Sequence, residues 1–490
     1  GAAVRIAMTV GVAGEQTGHL CQVVQEISSE SREAREVQFS HHAGKVLADL
    51  TIGADIANAE SLCANEGLAI KGLELGSQGF LMNKKEAEDL LGQHPGLVNY
   101  LKPYMNGRDL TLGQPTRYVI DFSGLSEIQA RDSAPLLYQK LLDTVKPERQ
   151  VSRESRTSSK WWLFRRSGAD MRRAVAGVSQ YIATTRTSKH RIFQFQPRFL
   201  IAESKIVVIA IDDPWMLGIL SSRLHTLFSS RSGGWLGVGN DSTYNHLDCF
   251  GKFPFPVAIS DCGEDIARIA AEIDRHRKRQ QVQHPSLSLT NIYNVLEKLR
   301  SGKDLTDKEK TIREQGLVSV LRELHDDLDR AVFEAYGWSD LAIKLVGRPG
   351  ATTPLLDKPA DQAEAEEELL MRLVELNKKR TEEESRGIVR WLRPEYQAPS
   401  SVQTEVDITP KVATEKPEIV PSKGKATFPK AIPDQLRVLR EALSERSYTT
   451  ESLAELFKRK PVKSVEEGLK SLTAVGVAEF DADAKTWHII

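Results

Sequence analysis

The chain reads as a multidomain protein of the mixed α/β (α+β) class: a mixed part first, then a helical part, then a small helix-and-hairpin module at the C-terminus. Three observations predict this. At 490 residues it can hold about three domains of ordinary size. Strand-like runs, most clearly 206–211, stand among short helical patterns up to Pro256, after which the patterns are helical. A stretch holding seven prolines, 394–433, then separates the last sixty or so residues from the rest.

Taken in order, Val4, Ile6, Met8 and Val10 alternate with Arg5, Ala7 and Thr9, the period-2 pattern of a half-buried strand. No partner strand is evident nearby, so the sequence suggests the C-terminal part of something longer, or one half of a split protein. Residues 83–91 read as a helix, 118–122 as a strand and 126–145 as a helix. The apolar strand 206–211 runs into Asp213-Pro214, an N-cap followed by proline at the first helical position, and predicts a helix to Phe228. Helices are expected at 262–281, 289–299, 306–336 and 360–391. The segment 394–433 is rich in Pro, Ser, Thr, Lys and Glu and is expected to be a disordered linker. Three helical segments, 434–445, 449–458 and 462–475, followed by a hairpin over 477–490, give the order of a winged helix.

Composition excludes several classes. Apolar residues at 40%, charged residues at 27% and a mean hydropathy of −0.35 fit a globular protein and rule out collagen-like and wholly disordered chains. The longest apolar stretch, 206–220, is interrupted by Asp212, Asp213 and Pro214, too short to span a bilayer. The first thirty residues show no export-signal pattern, so the cytoplasm is the expected location. Four cysteines, never in a C-x-x-C pair, are read as incidental thiols rather than a disulfide framework or a zinc site.

The net charge of −1 conceals an uneven distribution. Residues 146–198 hold thirteen Lys or Arg against three acids, interleaved with Trp161, Trp162, Phe164, Tyr181, Phe193 and Phe195. Cations supply counterion release and planar side chains supply contact, which makes nucleic acid the leading partner. The alternative is a solvated basic face over a tryptophan core. The acidic run 357–384 reads as a solvated helix face.

Candidate chemistry is sparse. The strand end Asp212-Asp213-Pro214-Trp215 approaches the (Asn/Asp/Ser)-Pro-Pro-aromatic turn of amino-methyltransferases, with Asp213 where the first proline belongs. No Gly-rich turn after a strand, with an acid about 20 residues on, is present to hold S-adenosylmethionine, so a helix cap is the simpler reading. Gly237-Val238-Gly239 is too short for such a turn. Glu203-Ser204-Lys205 lacks the companion carboxylate of a nuclease, and His41-His42 and His225 lack further ligands or a nucleophile nearby.

Several segments stand in the order seen in adenine-specific DNA methyltransferases of restriction-modification and phage-defence systems: Tyr104-Met105-Asn106-Gly107-Arg108-Asp109-Leu110, then 117–122 (RYVIDF), Val145-Lys146-Pro147-Glu148-Arg149, Trp161-Trp162, and 187–193 (TSKHRIF). The segment 218–225 (GILSSRLH) resembles the G-L-L-S-S-R-x-H helix of the MmeI-like group, and Tyr244-Asn245 with Phe253-Pro254-Phe255-Pro256 resembles its Y-N-x-F-P-x-P end. Leu324-His325, 328–332 and Ala335-Tyr336-Gly337-Trp338 resemble the helical segment that follows. The resemblance covers about residues 1–345, with an insertion at 246–252.

This resemblance implies a remnant of the methyltransferase catalytic domain at 1–47, a target-recognition domain at 48–258 and a helical domain at 259–393, ahead of the linker and the winged-helix-like 434–490. The family's cofactor-binding glycines and N-P-P-Y/F motif have no counterpart here. The implied function is therefore reading of duplex DNA for a methyl-transfer domain that is absent or on another chain. No catalytic residue and no bound cofactor are assigned to this chain, and S-adenosylmethionine is expected for the complete enzyme. Lys160, Arg165, Arg166, Arg172 and Arg173 are the candidate phosphate contacts, Lys189, His190 and Arg191 the candidate groove readers, and Arg223, His225, Tyr244 and Asn245 further DNA-binding candidates. Expected partners are double-stranded DNA, a methyltransferase domain or subunit, and other defence proteins, with no membrane. Two alternatives stay open: a divergent complete methyltransferase using Asp212 to Trp215, and a protein-docking scaffold.

Overall fold

In the computed structural model of the chain, residues 8–11, 16–27, 36–47, 50–151, 158–236, 241–257, 260–353, 355, 358–399, 428–429, 432–445, 448–458, 460–474, 478–481 and 486–489 are described. They fall into two compact units, 1–405 and 406–490. The first opens with a two-stranded antiparallel ribbon, Gly18–Ile27 against Glu36–Gly44, with Cys21 opposite His41 and an irregularity between Val23 and Gln25. The sequence reading did not expect this ribbon; it placed a strand at 4–10 and found no partner. Residues 1–7 lie outside the described residues, and Met8 to Gly11 form no strand. Val23 and Phe39 are about half exposed, and the sequences of the two strands lack the strict apolar alternation by which strands are found.

The sheet at the centre of the first unit orders its strands Ala69–Lys71, Ile206–Ile209, Gln180–Thr185 and Gln194–Pro197, all antiparallel. Val207 and Ile209 face one hydrophobic core, and Ile206 and Val208 face another. Burial on both faces explains why 206–211 is an unbroken apolar run rather than an alternating one. Each such side chain contributes roughly 1.5–3 kcal/mol of burial.

One core lies between this sheet and a second one, ordered Ile201–Ala202, Leu101–Met105, Arg117–Ile120, Leu81–Asn83. Helix Lys84–Gln93 follows, with the Asn83 side chain accepting from the Glu86 N–H. The helix expected at 126–145 is two, Glu127–Ser133 and Pro135–Thr144. Pro135 has no N–H to donate and its ring excludes a helical residue before it, which breaks the run at Ala134.

The other core joins the sheet to helices Pro214–Ser221, Ser260–Gln283, Leu289–Arg300, Val318–Ala335 and Ala360–Ser385. At Gly218 a Cβ would stand 2.5 Å from Ile266 Cγ2, so the first two of these helices cross at backbone distance. The expected helix from 214 to 228 is interrupted at Ser222, which caps a new helix, Arg223–Ser232. The expected helix 306–336 divides at Gly316 and Leu317, the latter at φ +44°. The helix read as 360–391 stops at Ser385, two residues before Gly387 at φ +84°.

Because this core runs from Ala54 to Leu373, no gap between cores falls at residue 258, where the sequence reading ended one domain and began the next. Nor does the packed chain end at residue 393. Arg393 donates to the carbonyls of Ala174 and Ala210, and Gln397 to those of Ala64 and Glu66. Most of the expected linker lies outside the described residues.

The second unit contains helices Ile432–Glu445, Thr450–Ala454 and Val462–Ala474, then the antiparallel strands Ala478–Asp481 and Thr486–Ile489. Leu439, Leu453, Phe457, Val465 and Leu469 form its core, with Trp487 beneath the hairpin. Among the described residues no helix is long and apolar enough to cross a membrane.

Candidate nucleic-acid interface

The basic stretch folds into a face and a core. Trp161 and Trp162 are 4% and 8% exposed and pack edge to face among apolar neighbours, so the pair is structural. Lys160 is exposed. Arg165 and Arg166 are exposed and share one carboxylate, Glu74, at 2.9 and 3.5 Å. Arg173 meets Asp170 at 3.3 Å with both side chains largely in water. Such surface pairs are worth about 0–1 kcal/mol and a phosphate can displace them. Arg172 differs: its partner at 2.8 Å is Asp121, which is 7% exposed, and taking Arg172 away would strand a buried carboxylate.

The next set of candidates requires correction, because the fold turns most of them inward. Arg191 is buried. Its guanidinium donates to the carbonyl of Thr185, to the Thr184 hydroxyl, and to the carbonyl and hydroxyl of Ser242, while lying 5.1 Å from the Tyr244 ring centroid. Burial lowers its pKa to about 10, against the pull of Cys249 and Tyr244. Arg223, 1% exposed, donates from its main chain to Asp329 and from its guanidinium to Glu366 and the carbonyls of Arg348 and Pro349. His225 is fully buried against Phe193, Phe253 and Phe255, with Nε2 2.9 Å from the Tyr244 hydroxyl. Burial, helped by the Arg191 charge, lowers its pKa to about 3, so it is neutral. Tyr244 is equally enclosed. These four groups are enclosed by the protein rather than presented on its surface.

His190 is buried too, while Lys189 beside it is exposed and donates to Asn294 Oδ1 at 2.6 Å. Asn245 is exposed, and its side chain caps the five-residue π-helical turn His246–Phe250, which is the conformation taken by the insertion noted in the sequence.

The structure also assembles cations that the composition did not single out. Lys71 lies opposite Val207 in the central sheet, and the N–H of Arg186 donates to the carbonyl of Lys205 at 2.8 Å. Three neighbouring strands thus present Lys71, Lys205 and Arg186 at one end of the sheet. Burial first, then the charges of Arg186 and Lys71, pull the His246 pKa down beside them. Among the described residues none of these three cations has a carboxylate within ion-pair distance. Lys71 and Lys205 fall outside the 146–198 stretch, so only strand pairing reveals the cluster. Next to it stands a small sheet of Trp235–Leu236, Asp241–Thr243 and Thr187–Ser188, which carries Lys189 at its margin.

At the strand end Asp212-Asp213-Pro214-Trp215, Asp213 caps the helix by accepting from the Trp215 N–H at 2.8 Å. Asp212 accepts from the main chain and hydroxyl of Ser179 at 3.0 and 3.2 Å. Asp213 and Trp215 border a cavity of about 540 Å³ shared with Glu264, Glu384 and Trp391. The turn at 212–215 is not a glycine-rich loop of the kind that lets a nucleotide-like cofactor approach the backbone, and both its acids are engaged, so the turn does not fit S-adenosylmethionine. Among the described residues no group of three or more His, Cys, Asp or Glu could hold a metal ion.

Residues 59–257 match the family model of the MmeI target recognition domain. They form an MmeI-like target-recognition part. Among solved structures, the chain is similar in fold to the Type IIL restriction-modification enzyme MmeI in complex with DNA, with a TM-score of 0.51 at 17% identity. The similar region covers 71% of this chain and 40% of that one, so this chain spans well under half of the enzyme it resembles. No curated protein matches. Lys71, Arg186, Lys189 and Lys205 all lie within the target-recognition part, as does the whole central sheet.

Proposed function

We propose that this chain is the DNA-reading portion of a site-specific adenine-N6 DNA methyltransferase of a restriction-modification system, holding duplex DNA while a methyl-transfer domain acts on a flipped adenine. The carrying observation is that the target-recognition match spans a sheet whose end bears Lys71, Arg186 and Lys205, with no carboxylate partner among the described residues. Unpaired cations on adjacent strand ends suit successive phosphates, since neutralising them releases counterions. Exposed Lys160, Arg165, Arg166 and Arg173 add weaker contacts. Lys189 and Asn245, exposed at the margin of the small sheet and in the loop beyond it, are the candidates for base edges.

The methyl-transfer domain, on another chain or elsewhere in the same protein, supplies the cofactor site that the junction at Asp212 and Asp213 does not. The work is assigned to the cytoplasm, where the DNA is. The C-terminal helix-and-hairpin unit, winged-helix-like in order, is proposed to dock either DNA or another protein of the defence system.

The test is to select duplexes from a randomised pool with this chain and sequence what is retained. Enrichment of one short sequence, with affinity falling steeply as salt rises, is the expected result. Uniform retention, or affinity indifferent to salt, would overturn the proposal and favour the docking scaffold.

A further inference from the structure

Lys189 has a long, flexible stem, and an ammonium on such a stem reads a base poorly unless something fixes it, because each rotamer frozen on binding is lost entropy. Here the anchor comes from outside the target-recognition part. Asn294, on helix Leu289–Arg300, accepts from Lys189 Nζ at 2.6 Å and is 3.0 Å from His190 Nε2 through the same oxygen. An ammonium only donates, so the amide oxygen of Asn294 must face it, and His190 must then carry its proton on Nε2.

His190 Nδ1 is 3.0 Å from the Thr352 hydroxyl, and the main-chain N–H of Arg191 donates to the Thr352 carbonyl at 2.9 Å. Burial depresses the His190 pKa, so the ring is neutral, and the single proton of the Thr352 hydroxyl lies between His190 Nδ1 at 3.0 Å and Glu297 Oε1 at 3.2 Å. Thr352 is in turn fixed by Glu297, which takes the main-chain N–H groups of Gly350 at 2.7 Å and of Thr352 at 3.4 Å. Three consecutive residues, Lys189 to Arg191, are thereby tied to residues 294 and 352, both beyond position 257.

We propose that Asn294 is a positioning residue for sequence reading: it holds the Lys189 ammonium at a base edge, with two N–H donors left for guanine O6 and N7, and so places a specificity determinant outside the target-recognition part. This rests on the DNA-reading function proposed above.

The experiment is selection from a randomised duplex pool with the full chain, comparing wild type, K189A, N294L, N294D and the double variant K189A/N294L, with thermal melts and salt slopes alongside. N294L should lower the preference for one base pair about tenfold, leave the salt slope unchanged, and affect the same position as K189A. The double variant should lose no more than K189A alone, since both act through one ammonium. N294D keeps an oxygen acceptor and should retain the preference, which a role in folding alone would not predict. Should N294L prove unfolded, N294A carries the same expectation with less bulk. Unchanged base preferences in a folded Asn294 variant, or losses that add to those of K189A, overturn the inference. A K189A chain that binds every duplex more weakly but keeps its preferences makes Lys189 a phosphate contact, and the inference fails while the proposed function stands. A wild-type chain with no preference removes both.

Discussion

If the sheet end bearing Lys71, Arg186 and Lys205 tracks phosphates, replacing all three by glutamine should flatten the salt dependence of duplex binding by a predictable amount. Each neutralised phosphate contributes about 0.9 to the slope of log affinity against log salt. Three cations free of carboxylates therefore account for about 2.7, and over the fourfold rise from about 50 to about 200 mM salt the wild type should lose roughly 40-fold more affinity than the triple variant. The comparison is R165Q/R166Q: those two arginines are already paired with Glu74, so its slope should fall by about 1 or less. Fluorescence anisotropy on a labelled duplex measures both. Arg186 and Lys205 are exposed and Lys71 is half-buried, so the variants should stay within about 0.5–1 kcal/mol of wild-type stability. A triple variant with the wild-type slope, or an Arg165 and Arg166 pair that accounts for 2 or more, would refute the assignment of the interface to this end of the sheet.

Other expectations follow from the interior. Arg223→Ala removes a buried guanidinium that donates to Glu366 and to the Arg348 and Pro349 carbonyls, while the main-chain N–H of residue 223 stays on Asp329 and Lys358 stays on Glu366, and should cost about 1–3 kcal/mol of stability in denaturant unfolding; a loss under about 0.5 kcal/mol would mean the network is wrongly drawn. His225 binds its proton only near pH 3 in the folded chain, whereas the unfolded chain binds one near pH 6.5. The unfolded state thus holds more protons in between, and this residue's contribution to stability, full above that window, declines by about 1.4 kcal/mol per unit as pH falls from about 6 to about 4. H225F should remove that slope from urea midpoints taken across the range, and an acid limb of undiminished steepness would contradict the burial. Gly218→Val would drive a side chain into Ile266 and should cost about 1–3 kcal/mol, read as a lowered Tm. A chain ending at residue 399 retains both cores of the first unit, so it should melt as wild type does in that transition.

How much of this was legible in the sequence depended on whether a pattern was local. The run 206–211 announced a strand covered on both faces, and Asp213-Pro214 announced the helix after it, because the signals are intrinsic to those residues. Helix interruptions at Ser222 and Gly316-Leu317 were missed, since apolar periodicity continues across them while the backbone turns. The ribbon Gly18–Ile27 and Glu36–Gly44 was invisible for the opposite reason: its sequence shows no strict apolar alternation. Within the candidate site, the excess of charge was legible but its disposition was not. Arg165 and Arg191 look alike in sequence. Arg191 is drawn inside by carbonyls at Thr185 and Ser242, and Ser242 arrives from another strand. Lys71 and Lys205 become neighbours of Arg186 only through strand pairing.

On the proposed function, the interior arginines and the exposed cations answer to one requirement, which is that a surface reading DNA has to be rigid before it can be specific. The strand Gln194–Pro197 ends the central sheet, and its free edge would be a liability if left open. Helix Ser260–Gln283 covers it: Arg277 donates to the Phe193 carbonyl at 2.7 Å and Lys278 to that of Phe195 at 2.7 Å, while Gln281 reaches Thr111 at 2.9 Å. Arg277 also meets the Tyr293 hydroxyl at 3.1 Å, which joins this clamp to the helix that carries Asn294. One set of cations is thus spent holding the recognition sheet against the helical part, and that fixed sheet is what allows the other set, Lys71, Arg186, Lys189 and Lys205, to stand at defined positions in water. The recognition part and its helical support share a core and a hydrogen-bond network. A swap of residues 59–257 between relatives would accordingly carry base contacts without the residues that aim them, unless positions 294 and 352 were moved as well.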